Sequence, residues 1–302
     1  MTATGTEGDL AAQGLAAQSL VERGFAERGR ALGEAVATAN DATVAHALAE
    51  AAGEVLLELR DQLGFEDPKA LRTAGDLNAN ALLMAALQVA RPLDGLLSEE
   101  GKSSTAAEQR RLTSTRTWII DPLDGTREFG EEGRSDWAVH VALWGAGPDD
   151  VPGTAHRLLD GAVAMPAARQ TLSSADLLAA APAVRPADDG PITAVVSRSR
   201  PPAFLTELAL VVALEFVPMG SAGAKVMAVV TGQVDAYLHA GGQYEWDSAA
   251  PAAVALAAGY HASRLDGSPL IYNRPDPLLP DLLVCRPALA GRLLEAVAGI
   301  HR

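Results

Sequence analysis

The chain has 302 residues, of which 48% are hydrophobic, and its 24 Lys and Arg against 38 Asp and Glu give a formal charge of −14. A chain of this composition can build a hydrophobic core, which excludes a disordered tail. The negative charge argues against a protein that coats nucleic acid or lies on a membrane surface, because both need a basic face. The single cysteine excludes an internal disulfide framework and any metal site with several cysteines.

The sequence predicts neither a membrane span nor an export signal. The best candidate for a span, residues 203–219, contains Glu207 and Glu215, whereas a span needs about 20 nearly uncharged residues. Acidic Glu7 and Asp9 stand where a secretory signal would carry Lys or Arg. Together with the lack of cysteine pairs, these features predict a cytoplasmic protein that does not bind a membrane.

Two helices are predicted in the first hundred residues. Apolar residues three or four apart predict a helix over residues 31–63, and Gly64 is a typical stop signal. A second helix is predicted over residues 76–89, with Asp76 at the N-cap position.

Strands and further helices follow along the chain. Residues 116–120 are a short apolar run that ends at Asp121, which predicts a buried strand. Alternating apolar side chains predict another strand over residues 136–144. Residues 179–191, rich in Ala, Pro and Asp, predict a linker. Beyond it we predict a strand over residues 192–196 and helices over residues 202–214, 224–231 and 248–258. Helices interleaved with strands predict a layered α/β protein.

Residues 121–126 carry the strongest chemical signal. Asp121 and Asp124 directly follow a buried strand, where two carboxylates repel each other unless a cation lies between them. Mg²⁺ takes carboxylate and carbonyl oxygens, so the Leu123 carbonyl could join them. Gly125 lets the backbone approach a ligand, and Thr126 can open a helix whose N–H groups bind phosphate. The segment therefore predicts a metal and phosphate site; the alternative is a plain strand, turn and helix cap.

The run WIIDPLDGTREF, residues 118–129, resembles the signature of the inositol monophosphatase superfamily, whose members are Mg²⁺-dependent, lithium-sensitive phosphatases. The acidic pair that precedes this run in the superfamily is matched by Glu99 and Glu100, and two later elements are matched by residues 220–237 and 246–250. The resemblance extends over nearly the whole chain from about residue 30. Within the superfamily, residues 126–129, 220–225 and 239–247 are similar to the 3′-phosphoadenosine 5′-phosphate (PAP) phosphatases of the CysQ type, and especially to actinobacterial ones.

The resemblance implies a role for each matching residue. Two or three Mg²⁺ ions would be held by Glu99, Asp121, the Leu123 carbonyl, Asp124 and Asp247. Thr126 would orient the attacking water with support from Asp76, for which a simple helix cap is the alternative. The substrate would contact Gly125, Thr126, Arg127, Ser221 and Lys225. Lys225 could meet a second phosphate or be a surface lysine, and Glu100 and Glu128 could be outer groups of the metal site or solvated carboxylates.

The resemblance also implies a fold and an activity. The fold would be the layered α-β-α-β-α sandwich of the inositol monophosphatases and fructose bisphosphatases, of the α/β class. An N-terminal α+β part, residues 19–187, would carry most metal ligands, and a C-terminal α/β part, residues 188–302, would follow it. Residues 1–18 are predicted to be a flexible leader or an artificial extension.

The implied activity is hydrolysis of the 3′-phosphate of PAP, or of its sulfated form PAPS, to AMP or APS in sulfate assimilation. An inositol monophosphatase or a fructose-1,6-bisphosphatase with the same metal chemistry is the alternative. A silent nucleotide-binding module is disfavoured, because every expected metal ligand is present. The expected partner is a small phosphorylated molecule and not a nucleic acid; the sequence leaves the oligomeric state open, with a homodimer as one option.

Overall fold

The computed structural model describes residues 22–101, 105–147, 150, 155–179 and 190–300. The first helices are α1 (residues 22–35), α2 (Asp41–Leu63) and α3 (Pro68–Ala90). They are followed by β1 (Gly95–Ser98), α4 (Thr105–Thr113), β2 (Arg116–Asp124), α5 (Thr126–Phe129), β3 (Ala138–Gly145), β4 (Arg157–Met165), β5 (Gln170–Ser173) and α6 (Ser174–Ala179). The second half contains β6 (Ile192–Ser197), α7 (Phe204–Val211), β7 (Leu214–Met219), α8 (Ala222–Val230), β8 (Ala236–Tyr244), α9 (Glu245–Ala257), β9 (His261–Ser263), β10 (Leu278–Cys285) and α10 (Pro287–Ile300).

The strands form two five-stranded sheets. The first has the order β1-β2-β3-β4-β5, in which β1 runs parallel to β2 and the other neighbours are antiparallel. The second has the order β7-β6-β8-β10-β9, with β6 parallel to both β7 and β8, and β10 antiparallel to β8 and β9.

The helices and sheets form five layers, which are held together by three hydrophobic cores. The first core packs α1, α2 and α3 against one face of the first sheet, where Trp118 and Val139 are buried. The second core lies between the two sheets and is filled by α8 and α9, with Ile119 on the opposite face of β2 from Trp118. The third packs the second sheet against α7 and α10, including Leu208 and Leu293. This α-β-α-β-α order confirms the predicted fold.

The N-terminal helices differ from those predicted. The predicted helix over residues 31–63 is interrupted by a turn at residues 36–39, and α2 starts afresh with Asn40 as its N-cap, whose Oδ1 accepts the N–H of Thr43 at 2.8 Å. Its predicted end at Gly64 is confirmed.

The predicted N-cap role of Asp76 is wrong, because α3 begins two turns earlier. Asp67 is the N-cap, and its carboxylate accepts the N–H groups of Lys69 and Ala70 at 3.1 and 3.0 Å. Pro68 then occupies the first helical position, where its missing N–H costs nothing. Asp76 therefore lies inside the helix, in its third turn.

The end of β2 and the end of the helix before β7 also differ from the predicted positions. β2 does not end at residue 120 but continues to Asp124. The predicted helix over residues 202–214 ends at Val211, and the residues after it form the edge strand β7. In β7 most side chains are exposed, so this strand lacks the buried apolar pattern by which strands are recognised in a sequence.

The predicted leader, residues 1–18, and the predicted boundary near residue 187 fall outside the described residues, so both stay predictions. The first sheet precedes that boundary and the second follows it, while α8 and α9 pack between the two sheets. In the described part of the chain, every helix is too short or too polar to cross a bilayer.

Candidate active site

Asp121 and Asp124 point to the same face of the first sheet because β2 is irregular between them. Asp121 lies opposite His140 on β3, and Asp124 lies opposite Ala138. A step of three residues on β2 therefore matches a step of two on β3, which is the single extra residue of a β-bulge. In a regular strand, residues three apart point to opposite faces. The bulge brings both carboxylates to the face that packs against α8 and α9.

Two other carboxylates meet this pair from neighbouring elements. Asp247 is the third residue of α9, and its Oδ2 accepts the N–H of Tyr244 at 2.6 Å. One oxygen each from Asp121, Asp124 and Asp247 lie within 4.8 Å of one another. Glu99 follows β1, the parallel neighbour of β2, and its charge acts on the carboxyl group of Asp121. We call Glu99, Asp121, Asp124 and Asp247 the carboxylate cluster.

Most of the carboxylate cluster is costly to ionise in the protein without a cation. Burial, followed by the charges of Glu99 and Asp124, raises the pKa of Asp121 well above its usual value. Burial and the charge of Asp124 raise the pKa of Asp247 to about 7. These donors are all oxygen atoms, and a divalent ion of the hard class would remove the repulsion that raises these pKa values. The cluster therefore fits a divalent metal ion.

Asp124 is the exception within the carboxylate cluster. Burial would raise its pKa, but the contact with His140, the charge of Lys225 and the hydrogen bond from Ser221 lower it to about 2. Its Oδ2 accepts the Ser221 hydroxyl at 2.5 Å and the Gly223 N–H at 2.7 Å. Asp124 is thus held as a charged, oriented carboxylate.

His140 is fully buried beside Asp124, and sequence reasoning gave it no role. Its Nε2 lies 3.3 Å from Oδ2 of Asp124, and its Nδ1 lies 3.0 Å from the carbonyl oxygen of Trp246. Burial lowers the pKa of His140, but the contact with Asp124, the hydrogen bond to Trp246 and the charge of Asp247 together outweigh burial and raise it. The signal that could have found this residue is the cross-strand register of β2 and β3, which a single sequence does not give.

A cavity of about 680 Å³ opens over the carboxylate cluster. Every predicted metal ligand and substrate contact lines it: Glu99, Asp121, Leu123, Asp124, Gly125, Thr126, Arg127, Ser221, Lys225 and Asp247. The lining continues into the loop after β6, residues 199–202, and along residues 239–243 of β8. Small-molecule sites commonly have volumes of about 300–1,000 Å³, so the cavity has room for a nucleotide.

Asp76 is not among the described residues that line this cavity. Burial, Glu100 and Glu99 together raise its pKa to about 8, so it lies within electrostatic reach of the carboxylate cluster. Its predicted support of Thr126 stays a prediction.

At Gly125, the turn from β2 into α5 lies very close to neighbouring residues. Gly125 has a φ of 86°, and a Cβ there would lie 3.1 Å from the Asp136 carbonyl oxygen and the Ser221 Cβ. Thr126 opens α5, as predicted, and its hydroxyl donates to the Leu123 carbonyl at 3.0 Å. The turn therefore places the Leu123 carbonyl and the start of α5 side by side in the cavity wall.

Lys225 is buried, so the surface-lysine alternative is wrong. Its Nζ donates to the carbonyl oxygens of Gly220 and Ser221 at 3.3 and 2.7 Å and lies 5.3 Å from the ring centre of Tyr237. Burial lowers its pKa, while the charge of Asp124 opposes that shift. Lys225 thus braces the turn before α8, where Ser221 has an unusual φ of 48°.

The loop after β6 contributes groups that sequence reasoning missed. Arg200 is exposed and lines the cavity, as does the predicted Arg127. Arg198 binds Glu128 at 2.7 Å and Glu131 at 2.9 Å. Glu128 is only 5% exposed, so its interpretation as a solvated carboxylate is wrong. The only sequence signal is the pair of arginines in the run Ser-Arg-Ser-Arg, residues 197–200, directly after a predicted strand.

Comparison with known proteins identifies the family. The inositol monophosphatase family model matches residues 37–302. A 3′-phosphoadenosine 5′-phosphate phosphatase of Mycobacterium leprae is 52% identical over 257 residues, which cover 85% of this chain and 93% of that protein. The 3′(2′),5′-bisphosphate nucleotidase CysQ of Escherichia coli K12 is 30% identical over 213 residues, or 68% of this chain and 81% of that one.

A solved structure shows the same fold. An inositol monophosphatase from Zymomonas mobilis superimposes with a TM-score of 0.65 at 21% identity, covering 85% of this chain and 97% of that one. The predicted resemblance to PAP phosphatases of the CysQ type is confirmed by the sequence comparisons. The chain belongs to the inositol monophosphatase family and is, as its sequence predicted, a phosphatase.

Proposed function

We propose that this phosphatase is Mg²⁺-dependent and removes the 3′-phosphate of PAP, giving AMP and phosphate, with PAPS as a further candidate substrate that gives APS. The proposed role is the removal of PAP that forms during sulfate assimilation in the cytoplasm. The observation that carries the proposal is that one cavity contains both the carboxylate cluster and two arginines, Arg127 and Arg200. A substrate with two separate phosphates suits that combination, because one phosphate can meet metal ions while the other meets a guanidinium.

The relatives support the nucleotide over the other substrates of the family. The Mycobacterium leprae and Escherichia coli proteins are named for bisphosphorylated nucleotides, and the former shares about half of its residues with this chain. The cavity also extends well beyond the carboxylate cluster to residues 239–243 of β8. That length favours a substrate with a nucleoside attached to its phosphates.

The proposed metal ligands are Glu99, Asp121, the Leu123 carbonyl, Asp124 and Asp247, for two or three Mg²⁺ ions. When bound, such ions lower the pKa of a water and stabilise the leaving oxygen of an in-line displacement. The chain itself supplies orientation: Ser221 and Gly223 fix Oδ2 of Asp124, and Tyr244 fixes Oδ2 of Asp247.

The remaining roles concern the substrate and the water. We assign the backbone N–H groups of Gly125 and Thr126 to the oxygens of the 3′-phosphate, since they lie at the start of α5 beside the carboxylate cluster. Thr126 would orient the attacking water, with Asp76 as its support. Arg127 and Arg200 would meet the second phosphate, and Ser221 and Lys225 would shape the wall beside it. Phosphoryl transfer needs mainly positioning and charge neutralisation, so these residues suffice without a protein nucleophile.

The test is phosphate release from PAP, inositol 1-phosphate and fructose 1,6-bisphosphate in parallel, with Mg²⁺ and with a chelator. We expect kcat/KM for PAP to exceed the other two by at least about 100-fold, which corresponds to about 2.7 kcal/mol of transition-state stabilisation. We also expect the chelator to abolish turnover. A higher kcat/KM for inositol 1-phosphate than for PAP would reject the nucleotide assignment, and activity in the chelator would reject the metal.

A further inference from the structure

His140 connects the two elements that carry Asp124 and Asp247. Its Nδ1 lies 3.0 Å from the carbonyl oxygen of Trp246, the residue directly before Asp247 in the first turn of α9. Its Nε2 lies 3.3 Å from Oδ2 of Asp124 on β2. Because a carbonyl oxygen only accepts hydrogen bonds, Nδ1 is the donor, and this bond fixes the orientation of the ring. The imidazole therefore lies between the backbone beside one carboxylate and the side chain of the other.

The space for this ring depends on a glycine. A Cβ on Gly223 would lie 2.1 Å from Nε2 of His140, well inside van der Waals contact. Gly223 lies in the first turn of α8, where alanine would be the better helix former. The N–H of Gly223 also donates to Oδ2 of Asp124 at 2.7 Å. The glycine thus lets the imidazole and the helix backbone reach the same carboxylate oxygen together.

We propose that His140 is a positioning residue that sets the separation between Asp124 and Asp247, and thereby the affinity of the carboxylate cluster for a divalent ion. The inference rests on the proposed metal site. Asp247 is oriented by Tyr244, the N-cap residue of the same helix, so that hydrogen bond does not fix α9 relative to β2. His140 does, because it belongs to β3, the neighbour of β2 in the sheet, and holds the first turn of α9 through Trp246.

The test is the affinity for Mn²⁺ as a probe, measured by electron paramagnetic resonance or calorimetry on the full chain without substrate. His140→Leu removes both contacts, and we expect it to weaken Mn²⁺ binding by about 10–100-fold, the range for groups that orient metal ligands. His140→Asn can place its amide nitrogen near the position of Nδ1 and keep the bond to the Trp246 carbonyl, and we expect it to stay within about threefold of the wild type.

His46 offers a matched control, because its Nδ1 also lies 3.3 Å from an aspartate, Asp176, on elements outside the cavity. His46→Leu is expected to leave Mn²⁺ affinity unchanged. Mn²⁺ affinity of His140→Leu within twofold of the wild type would overturn the proposal, as would a His140→Asn variant as weak as His140→Leu.

If a variant does not fold, another variant replaces it, so that the test still gives a result. Circular dichroism and the unfolding temperature in chelator report folding, and if His140→Leu fails, His140→Gln takes its place. Gln can place a donor near Asp124 but loses the bond to Trp246, so we expect at least about a 10-fold loss of affinity, and an unchanged affinity would overturn the proposal. A wild-type protein that binds no Mn²⁺ would instead refute the metal site on which the inference rests.

Discussion

Asp121 and His140 face each other across β2 and β3, and the bulge that follows Asp121 brings Asp124 to the same face as both. Pro122 stands in the bulge and has no N–H to donate, so regular pairing cannot continue through it. The next N–H, that of Leu123, donates to Oδ1 of Asp121 at 3.0 Å. The irregularity that the Asp-Pro-Leu-Asp run imposes on β2 is therefore what gathers the carboxylates.

Asp121→Asn is expected to abolish turnover at saturating Mg²⁺, with a loss of at least about 100-fold, while the fold stays intact. The amide removes a charged metal oxygen, and it also relieves the repulsion from Glu99 and Asp124 that raises the pKa of Asp121. The metal-free variant should therefore unfold at the same temperature as the wild type or higher. Phosphate release and differential scanning fluorimetry check this, with Asp61→Asn, an exposed site on α2, as the control. Undiminished turnover would refute the metal role of Asp121.

The metal-free protein should lose stability as the pH rises through about 7. The pKa of Asp247 is about 7 in the folded protein, against an ordinary value near 3.8, so between these values the folded state holds a proton that the unfolded state has released. Stability from this group is fully present below about pH 3.8, falls as the pH rises toward about 7, and is gone once Asp247 is ionised in the folded protein. Saturating Mg²⁺ should reduce or reverse this loss, because the cation favours the charged carboxylate.

The measurement is the unfolding temperature between about pH 4.5 and 8, with and without Mg²⁺. Asp247→Asn isolates the contribution of this group from the rest of the protein. We expect the metal-free wild type to lose stability more steeply with rising pH than Asp247→Asn does. Parallel profiles for the two proteins would show that the pKa of Asp247 is not raised in the folded protein.

Part of the local structure around the carboxylates could be predicted from the local sequence. Asp121, Asp124, Gly125 and Thr126 are consecutive or nearly so, and the sequence predicted the strand before them and the helix start at Thr126, but not the bulge that brings Asp121 and Asp124 to one face. The five layers were predicted from the family resemblance and are confirmed. Asp247 lies far along the chain, and its predicted meeting with Asp124 also came from the resemblance, which the fold bears out.

The parts that were missed depend on tertiary contacts or on competing local signals. The burial of Lys225 was not predicted because lysine is rarely buried, and the groups that make burial tolerable, the two carbonyls that it bonds and the charge of Asp124, come together only in the fold. The start of α3 at Pro68 was overlooked because Gly75 and the polar residues before it hide the helical pattern. His140 required knowledge of which residue on β3 lies opposite Asp121.

Lys225→Met is expected to lower both stability and turnover. The methionine retains the buried aliphatic stem but removes the ammonium donor, so that the Ser221 carbonyl keeps only the backbone N–H of residue 225 and the Gly220 carbonyl loses its bond, which should cost about 1–3 kcal/mol of unfolding free energy. The turn then holds Ser221 less firmly, so its hydroxyl orients Asp124 less well and kcat/KM falls. Denaturant unfolding and PAP hydrolysis test this, with Lys69→Met at the exposed start of α3 as the control. Wild-type stability in Lys225→Met would show that the hydrogen bonds from Lys225 do not stabilise the turn.

Arg200→Ala is expected to discriminate between the proposed substrates. If the guanidinium meets the second phosphate of PAP, its loss should lower kcat/KM for PAP about 10-fold, or about 1.4 kcal/mol, and leave any hydrolysis of inositol 1-phosphate unchanged, because that substrate has no second phosphate. Arg292→Ala, at an exposed position of α10, controls for the loss of one positive charge. An equal loss for both substrates would place Arg200 at the reacting phosphate instead, and no loss for PAP would remove it from the site.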